Sequence, residues 1–155
     1  NVFVMVSMSA IIAKIQHNAI RLIFLYTTYM KYMGIDYGSK RVGIALSDEL
    51  HTLAFPHSVI ENTQTLVSDV IRLCKDHSVG LIVVGESKNF KQEENHIMKD
   101  IKPFVEEIKK QSGIDVVLHP EFLTSQQAER LQGAHAMLDA SAAAIILQSY
   151  IDTHK

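Results

Sequence analysis

The sequence predicts an α/β fold built on a mixed five-stranded sheet with helices on both faces. From residue 33 onward, short apolar runs of strand length alternate with stretches of helical periodicity. The first apolar runs are separated by tight turns, whereas the later ones are separated by helices. With 155 residues, 47% of them hydrophobic, the chain is long enough to bury one substantial core. Hairpins followed by crossover helices therefore predict antiparallel and parallel strands in one sheet.

The first half of this pattern contains three predicted strands and a helix. The runs "YMGIDYG" and "RVGIALSD" are separated by "GSK", which is the turn signal of a hairpin. A third strand is predicted in "FPHSVI", where Pro56 favours a sheet edge or a strand start because proline has no N–H to donate. The stretch "TQTLVSDVIRLCKDHS" has helical periodicity and completes this half.

The second half alternates helices with two further strands. "GLIVVG" and "IDVVLHP" are predicted to be short buried strands. Between them, "KQEENHIMKDIKPFVEEIKKQSG" is predicted to be a helix that Pro103 kinks or breaks and that Gly113 ends. "TSQQAERLQG" follows as a helix, with Thr124 and Gln127 forming a capping box. "LDASAAAIILQSYIDTHK" is the last predicted helix, and it begins at Asp139.

The first 32 residues differ from the rest in composition. They contain three basic residues and no acidic residue, and polar side chains interrupt each apolar run before it reaches the roughly 20 residues of a spanning helix. We expect this segment to lie outside the working domain, which comprises residues 33–155. An amphipathic helix on a membrane surface is the alternative for residues 1–32, whereas no membrane contact is expected for residues 33–155.

The net charge and the cysteine content exclude several classes of protein. Residues 33–155 hold 12 Lys and Arg residues against 17 Asp and Glu residues, a net charge of −5. A domain of this charge lacks the overall basic field of a tight nucleic-acid binder, so such contacts would need a local basic patch or bridging metal ions. Cys74 is the single cysteine, which excludes a disulfide framework and a cysteine-rich zinc site. The sequence also lacks P-loop, dinucleotide-binding and nucleophile-elbow motifs.

Four carboxylates occupy the ends of predicted elements. Asp36 ends the first strand, and Glu86 and Glu121 follow the fourth and fifth strands. Because ligand sites in open α/β sheets lie at the carboxyl ends of strands, we expect these three to converge at one rim. Asp139 opens the last helix and joins them if that helix packs across the rim.

Such a cluster predicts a metal site. Carboxylates placed together repel one another unless a cation holds them. Carboxylate oxygens completed by water and phosphate suit Mg²⁺ or Mn²⁺, and a pair of these ions activates water for displacement at a phosphodiester. Each acid also has a purely structural interpretation: Asp36 as a turn residue, Asp139 as a helix N-cap, and Glu86 and Glu121 as solvated loop charges.

Four stretches resemble the YqgF family of RNase H-like nucleases, described as Holliday junction resolvases and as pre-16S rRNA nucleases. They are "GIDYGSKRVGIALSD", "LIVVGE", "EFLTSQQAERL" and "LDASAAAIILQSYID", and they occur in the family's order between Met33 and Asp152. The first and last stretches are the specific ones. The resemblance implies an RNase H-like fold, hydrolysis of phosphodiester bonds with Mg²⁺ or Mn²⁺, and a cytoplasmic role in maturing the 5′ end of 16S rRNA.

The resemblance also implies which residues hold the metal. The family's first-strand aspartate falls on Asp36, its glutamate in "DER-L-[ST]" falls on Glu121, and its last-helix aspartate falls on Asp139. This chain has "PEF" in place of "DER". It also has "GESKNFKQEEN" in place of the family's "GLP" and glycine-containing loop, which supplies Glu86 as a further catalytic candidate.

Nucleic-acid contacts are expected at two places. The family's basic pair matches Lys40 and Arg41, whose alternative interpretation is an exposed turn. Thr124 and Ser125 are the second pair of candidates. The expected substrate is structured RNA, namely pre-16S rRNA, or branched DNA. The protein is expected to act as a monomer or as a homodimer, because resolution of a junction favours twofold symmetry.

Two other functions fit parts of the sequence. An ATP-binding domain of the actin and sugar-kinase type also combines an acid, a glycine and basic residues in its first phosphate loop, but that fold normally needs two such domains. A module that keeps the fold and binds nucleic acid without cutting it is the interpretation suggested by "PEF".

Overall fold

A computed structural model of the protein describes residues 11–20, 30–86, 97–120 and 138–154. Residues 11–20 form helix α1, whose side chains are all exposed. The remaining elements, in chain order, are β1 (Lys31–Tyr37), β2 (Arg41–Ser47), β3 (Ala54–Glu61), α2 (Leu66–Asp76), β4 (Val79–Glu86), α3 (Met98–Ser112), β5 (Asp115–Pro120) and α4 (Leu138–Thr153). None of the helices in these described ranges is long and apolar enough to cross a bilayer. The predicted helix at residues 124–133 lies outside the described part.

The five strands form one sheet in the order β3-β2-β1-β4-β5. The tight turns after β1 and β2 make the first three strands an antiparallel meander, whereas β4 and β5 run parallel to β1 because helices connect them. β1 therefore lies at the centre, and its carboxyl end shares one rim of the sheet with the carboxyl ends of β4 and β5. The predicted mixed five-stranded sheet is confirmed.

Helices cover both faces of this sheet, as predicted. Met33 and Ile35 of β1 point into a core that α2 and α3 complete. Because side chains alternate along a strand, Tyr32 lies on the opposite face of the sheet, where it packs in a second core beneath α4. Cys74 of α2 is buried in the first core, where burial raises the pKa of its thiol to about 12. Cys74 therefore has a packing role in this core.

Pro56 and Pro103 lie inside regular structure. Pro56 is in β3, the edge strand, and is paired with Ala45 next to a register shift, so its missing N–H interrupts no central ladder. Pro103 lies within α3, which continues through it to Ser112.

Gly113 should be costly to replace by a residue with a side chain. It ends α3 with φ of 70°, and its N–H donates to the Lys109 carbonyl oxygen at 2.9 Å. Because a Cβ there would meet no atom within 4 Å, Gly113→Ala should destabilise the fold by about 1 kcal/mol through backbone strain alone. Chemical denaturation measures this difference. Gly113→Asn should cost less than Gly113→Ala, and equal losses would contradict the strain argument.

His119 should make the fold sensitive to acid. Its ring, 9% exposed on β5, shares a hydrogen bond with Ser149 Oγ at 3.0 Å. Burial is the main cause that lowers the pKa of His119 below the ordinary 6.5, and the nearby His154 adds to it. As pH falls, the unfolded chain therefore takes up a proton at a higher pH than the folded chain does. The stability contributed by the neutral ring is therefore complete above about pH 6.5 and is lost as pH falls through the folded pKa.

Thermal unfolding between about pH 5 and pH 7.5 tests this expectation. His119→Gln should show a shallower fall of Tm with acid than the parent chain. His17→Gln, on the exposed helix α1, is the matched control and should keep the parent slope. Identical slopes for His119→Gln and the parent would rule out the buried ring as the cause.

Candidate active site

Asp36 lies at the end of the central strand, on the face that α4 covers. Tyr32 packs beneath α4, and a Cβ added at Gly34 would lie 2.7 Å from Leu147 Cβ of that helix. Since side chains alternate along a strand, Asp36 shares this face. Its side chain is half-buried. A half-buried carboxylate at a strand end is placed to meet both the helix and solvent.

The turn after Asp36 is fixed by hydrogen bonds. The Gly38 N–H donates to the Arg41 carbonyl oxygen at 3.1 Å, and a Cβ at Gly38 would lie 2.5 Å from that oxygen. Asn62 spans the turn: its Nδ2 donates to the Gly38 carbonyl at 2.8 Å, and its N–H donates to the Lys40 carbonyl at 2.9 Å. The two basic side chains, one exposed and one half-exposed, are therefore held beside the strand end.

Gly43 brings the second aspartate to the same place. Gly43 is the β2 partner of Asp36 in the antiparallel ladder. A Cβ at Gly43 would lie 1.8 Å from the Asp139 carbonyl oxygen, so α4 begins in direct contact with the β2 backbone. Gly34 permits the same approach one turn later, because its Cβ would lie 2.6 Å from the Ala143 carbonyl oxygen. Asp36 and Asp139 consequently occupy neighbouring positions.

Asp139 is paired with Arg41. The Arg41 Nε lies 3.2 Å from Asp139 Oδ2, with the side chains 49% and 28% exposed. At this exposure, water screens the pair and its net effect on stability is small. Its consequence is electrostatic: a guanidinium offsets part of the negative charge that the aspartates place at this rim.

Glu86 occupies a different position. It ends β4 and is paired with Pro120 at the end of β5. Ile82 and Val84 lie on the same face of β4 as Glu86, and they pack in the core beneath α2 and α3. Glu86 therefore shares the rim with Asp36 but extends from the opposite face of the sheet. Three other candidates, Glu121, Thr124 and Ser125, lie outside the described residues.

The donor set suits a hard divalent cation. Asp36 and Asp139 offer carboxylate oxygens, the ligands that Mg²⁺ and Mn²⁺ prefer. Within residues 11–20, 30–86, 97–120 and 138–154, no three His, Cys, Asp or Glu side chains come close enough together to hold a metal. Asp36 and Asp139 would need a further ligand to hold such an ion. The predicted third ligand, Glu121, is the residue that immediately follows β5.

Sequence reasoning missed the glycines that build this site. Gly43 and Gly34 stand inside strand patterns, where glycine is unfavourable unless another backbone approaches closely. That signal was present in "RVGIAL" and "YMGIDY". Asn62 had no comparable signal, because its role depends on the meander that folds it back onto Gly38 and Lys40.

Residues 30–153 match the sequence profile of RuvX, described as a Holliday junction resolvase. The chain belongs to the RuvX family. The predicted membership of the YqgF family, another name for the same proteins, is confirmed. The RuvX match begins one residue before β1 and ends with the last residue of α4.

RuvX relatives carry a more specific name. A protein of Endomicrobium trichonymphae is 34% identical over 133 residues, covering 79% of this chain and 95% of its own length, and is named a pre-16S rRNA nuclease. A protein of Lawsonia intracellularis with the same name is 35% identical over 133 residues, covering 79% of this chain and 94% of its own length.

Solved structures show the fold. The Thermus thermophilus RuvC structure superimposes on the RuvX chain with a TM-score of 0.55 at 14% identity, covering 80% of this chain and 95% of RuvC. The fowlpox virus resolvase in complex with Holliday junction DNA gives a TM-score of 0.52 at 13% identity, covering 80% and 98%. The predicted RNase H-like fold is confirmed.

Proposed function

We propose that this RuvX chain is a nuclease that hydrolyses phosphodiester bonds with Mg²⁺ or Mn²⁺, and that its substrate is precursor 16S rRNA. The observation that carries the proposal is the contact between Gly43, the ladder partner of Asp36, and the Asp139 backbone, which supports a pair of carboxylates at the end of β1. The substrate is inferred from relatives named pre-16S rRNA nucleases, which match over nearly their whole length.

We assign the metal to Asp36, Asp139 and Glu121, with Glu86 as a further catalytic candidate. When bound, the metal supplies an activated water and neutralises charge on the phosphate. The aspartates are positioned for this by the β1–β2 ladder and by the start of α4. No side-chain nucleophile is required.

Basic and hydroxyl groups would bind the nucleic-acid backbone. Lys40 and Arg41 lie on the fixed turn beside Asp36, so they bring positive charge to a phosphate approaching the aspartates. We assign backbone contacts to Thr124 and Ser125 as well. Because the domain carries net negative charge, binding should depend on divalent metal and weaken with salt.

Residues 33–155 are proposed as the working domain, acting in the cytoplasm on rRNA precursors as a monomer or homodimer. The family match over residues 30–153 covers most of this range and begins three residues before it. β1 already begins at Lys31, and a Cβ at Gly80 would lie 2.7 Å from Met30 Sδ, so these residues pack with the sheet. Functional assays should therefore use the full chain.

The test is cleavage of two substrates in parallel. The full chain is incubated with a 5′-extended 16S rRNA precursor and with a four-way DNA junction, each in Mg²⁺ and in chelator. The proposal predicts cleavage of the RNA in Mg²⁺ and none in chelator. Cutting of neither substrate, with binding retained, would replace the nuclease by a non-catalytic binding module.

Resolution of DNA junctions is the second candidate function. The description of the matching family as a Holliday junction resolvase favours it. Cleavage of the junction alone, at symmetrical positions, would establish this function in place of rRNA maturation. A homodimer is expected in that case, because two strands are cut across a twofold axis.

A further inference from the structure

A cleft of about 380 Å³ lies at the opposite end of the sheet from Asp36. Its walls include four rings, those of Tyr32, His51, Tyr150 and His154, and we call it the aromatic cleft. The volume is within the range of sites that hold small organic groups. Nothing in the proposed cleavage chemistry uses these residues, and they come from three separate parts of the chain.

The rings are arranged as two stacked pairs. Tyr32 and His51 stack with centroids 3.8 Å apart and planes 2° apart. Tyr150 and His154 stack with centroids 4.1 Å apart and planes 22° apart. The two tyrosines meet edge to face at 6.1 Å. The cleft is therefore a concave surface of aromatic faces and edges, which suits a flat aromatic ligand.

The histidines are held in place before any ligand arrives. His51 has φ of 53°, a left-handed conformation that is uncommon for residues other than glycine, and its Nε2 shares a hydrogen bond with the Met30 carbonyl oxygen. The His154 Nδ1 lies 2.9 Å from the Tyr150 carbonyl oxygen. Each of these nitrogens donates to a backbone carbonyl, and this bond fixes the orientation of the ring. Fixed rings lose little further freedom on binding.

Charge favours a base over a phosphate in this cleft. The residues of the described ranges that line it include no lysine or arginine. Asp48 lies beside it, accepting hydrogen bonds from the N–H groups of Thr52 at 2.6 Å and Leu53 at 3.0 Å. These bonds and the one from the Thr52 hydroxyl lower the pKa of Asp48 to about 2, so it is anionic at neutral pH and repels phosphate.

The cleft is connected to the candidate active site by two rigid elements. Tyr32 and Asp36 are four residues apart on the same face of β1, which corresponds to about 13 Å. Asp139 and Tyr150 are eleven residues apart on α4, about 16 Å. The cleft thus lies about 13–16 Å from the two aspartates, a distance that a few nucleotides span.

We propose that the aromatic cleft binds one unpaired base of the RNA substrate by stacking, a short distance from the bond to be cut. This inference rests on the proposed function for the identity of the substrate. A base entering the cleft would stack on the face of His51 or His154 that its tyrosine partner leaves open. The cleft thereby selects RNA that is single-stranded next to the cleavage site.

The test measures binding of a short single-stranded RNA that carries 2-aminopurine, whose fluorescence falls when it stacks. The full chain with Asp36→Asn is used throughout so that the RNA stays intact. His51→Gly and His154→Ala each remove one ring, and glycine at position 51 accepts the left-handed backbone without strain. Each should weaken binding about tenfold and abolish the fluorescence quenching.

Two controls separate the contribution of the base to binding from other contributions. Phe55→Leu removes a ring that is 53% exposed on β3 and does not line the cleft, and it should bind like the parent. The same RNA with abasic sites keeps its phosphates, and all variants should bind it equally. Undiminished binding of normal RNA by His51→Gly and His154→Ala would overturn the inference.

Cleavage by the chain with Asp36 intact separates the two proposals. If that chain cuts RNA but the cleft variants bind RNA normally, the cleft inference fails and the nuclease assignment stands. If it cuts nothing but the cleft variants lose base-dependent binding, the nuclease assignment fails and the cleft remains a base-binding site.

Discussion

Asp36→Asn should abolish metal-dependent cleavage while leaving the fold intact. Asparagine keeps the shape of the side chain and removes the charge that would hold the metal. The β1 ladder to Gly43 uses backbone groups and is unaffected. Because a catalytic metal contributes several kcal/mol to transition-state stabilisation, the cleavage rate should fall on the order of 10³-fold. The measurement is the rate of cleavage of the RNA precursor in saturating Mg²⁺, alongside circular dichroism.

Asp69→Asn is the matched control for this change. Asp69 is an acid on α2, which packs on the sheet face opposite to α4, and it forms an exposed pair with Arg72 at 2.9 Å. This variant should cleave at the parent rate. A folded Asp36→Asn chain that also cleaves at the parent rate would remove Asp36 from the proposed active site.

Gly43→Ala should destabilise the protein and disturb the site together. The added methyl group would lie 1.8 Å from the Asp139 carbonyl oxygen and 2.9 Å from the Ala140 backbone nitrogen, so the first turn of α4 has to shift. Overpacking against backbone should cost about 2–4 kcal/mol of the free energy of unfolding. Cleavage should also fall, because Asp139 moves away from Asp36. Chemical denaturation and the cleavage assay measure the two effects.

Gly80→Ala provides the comparison. A Cβ there would lie 2.7 Å from Met30 Sδ and 2.8 Å from Met30 Cβ, so the contact is longer than at Gly43 and involves a side chain just before β1 rather than helix backbone. This variant should lose less stability than Gly43→Ala and retain cleavage. Equal losses of stability would show that the cost at Gly43 does not come from the rigid backbone at the start of α4.

The strands and the sheet were predictable because their signals are local. Alternation of apolar runs, the turn "GSK" and the helical stretches depend on neighbouring residues, and they led to the correct sheet. The position of Asp36 at the end of β1 was correct for the same reason. The start of α4 at Asp139 approaches β2 closely because Gly43 has no side chain there.

Features that depend on packing between distant segments were not predictable. The end of β4 is clear in the sequence, but which face Glu86 occupies depends on which β4 residues are covered by α2 and α3. Arg41 was expected at phosphate, and its contact with Asp139 required knowing where α4 begins. The aromatic cleft joins Tyr32, His51 and Tyr150, whose spacing in the sequence follows no motif.

Binding of Mn²⁺ followed by electron paramagnetic resonance tests, without reference to activity, whether Asp36 and Asp139 belong to the proposed metal site with Glu121. The parent chain should bind Mn²⁺, Mg²⁺ should compete, and Asp36→Asn and Asp139→Asn should each weaken binding at least tenfold. Mn²⁺ bound as tightly by both variants as by the parent would exclude the two aspartates as metal ligands.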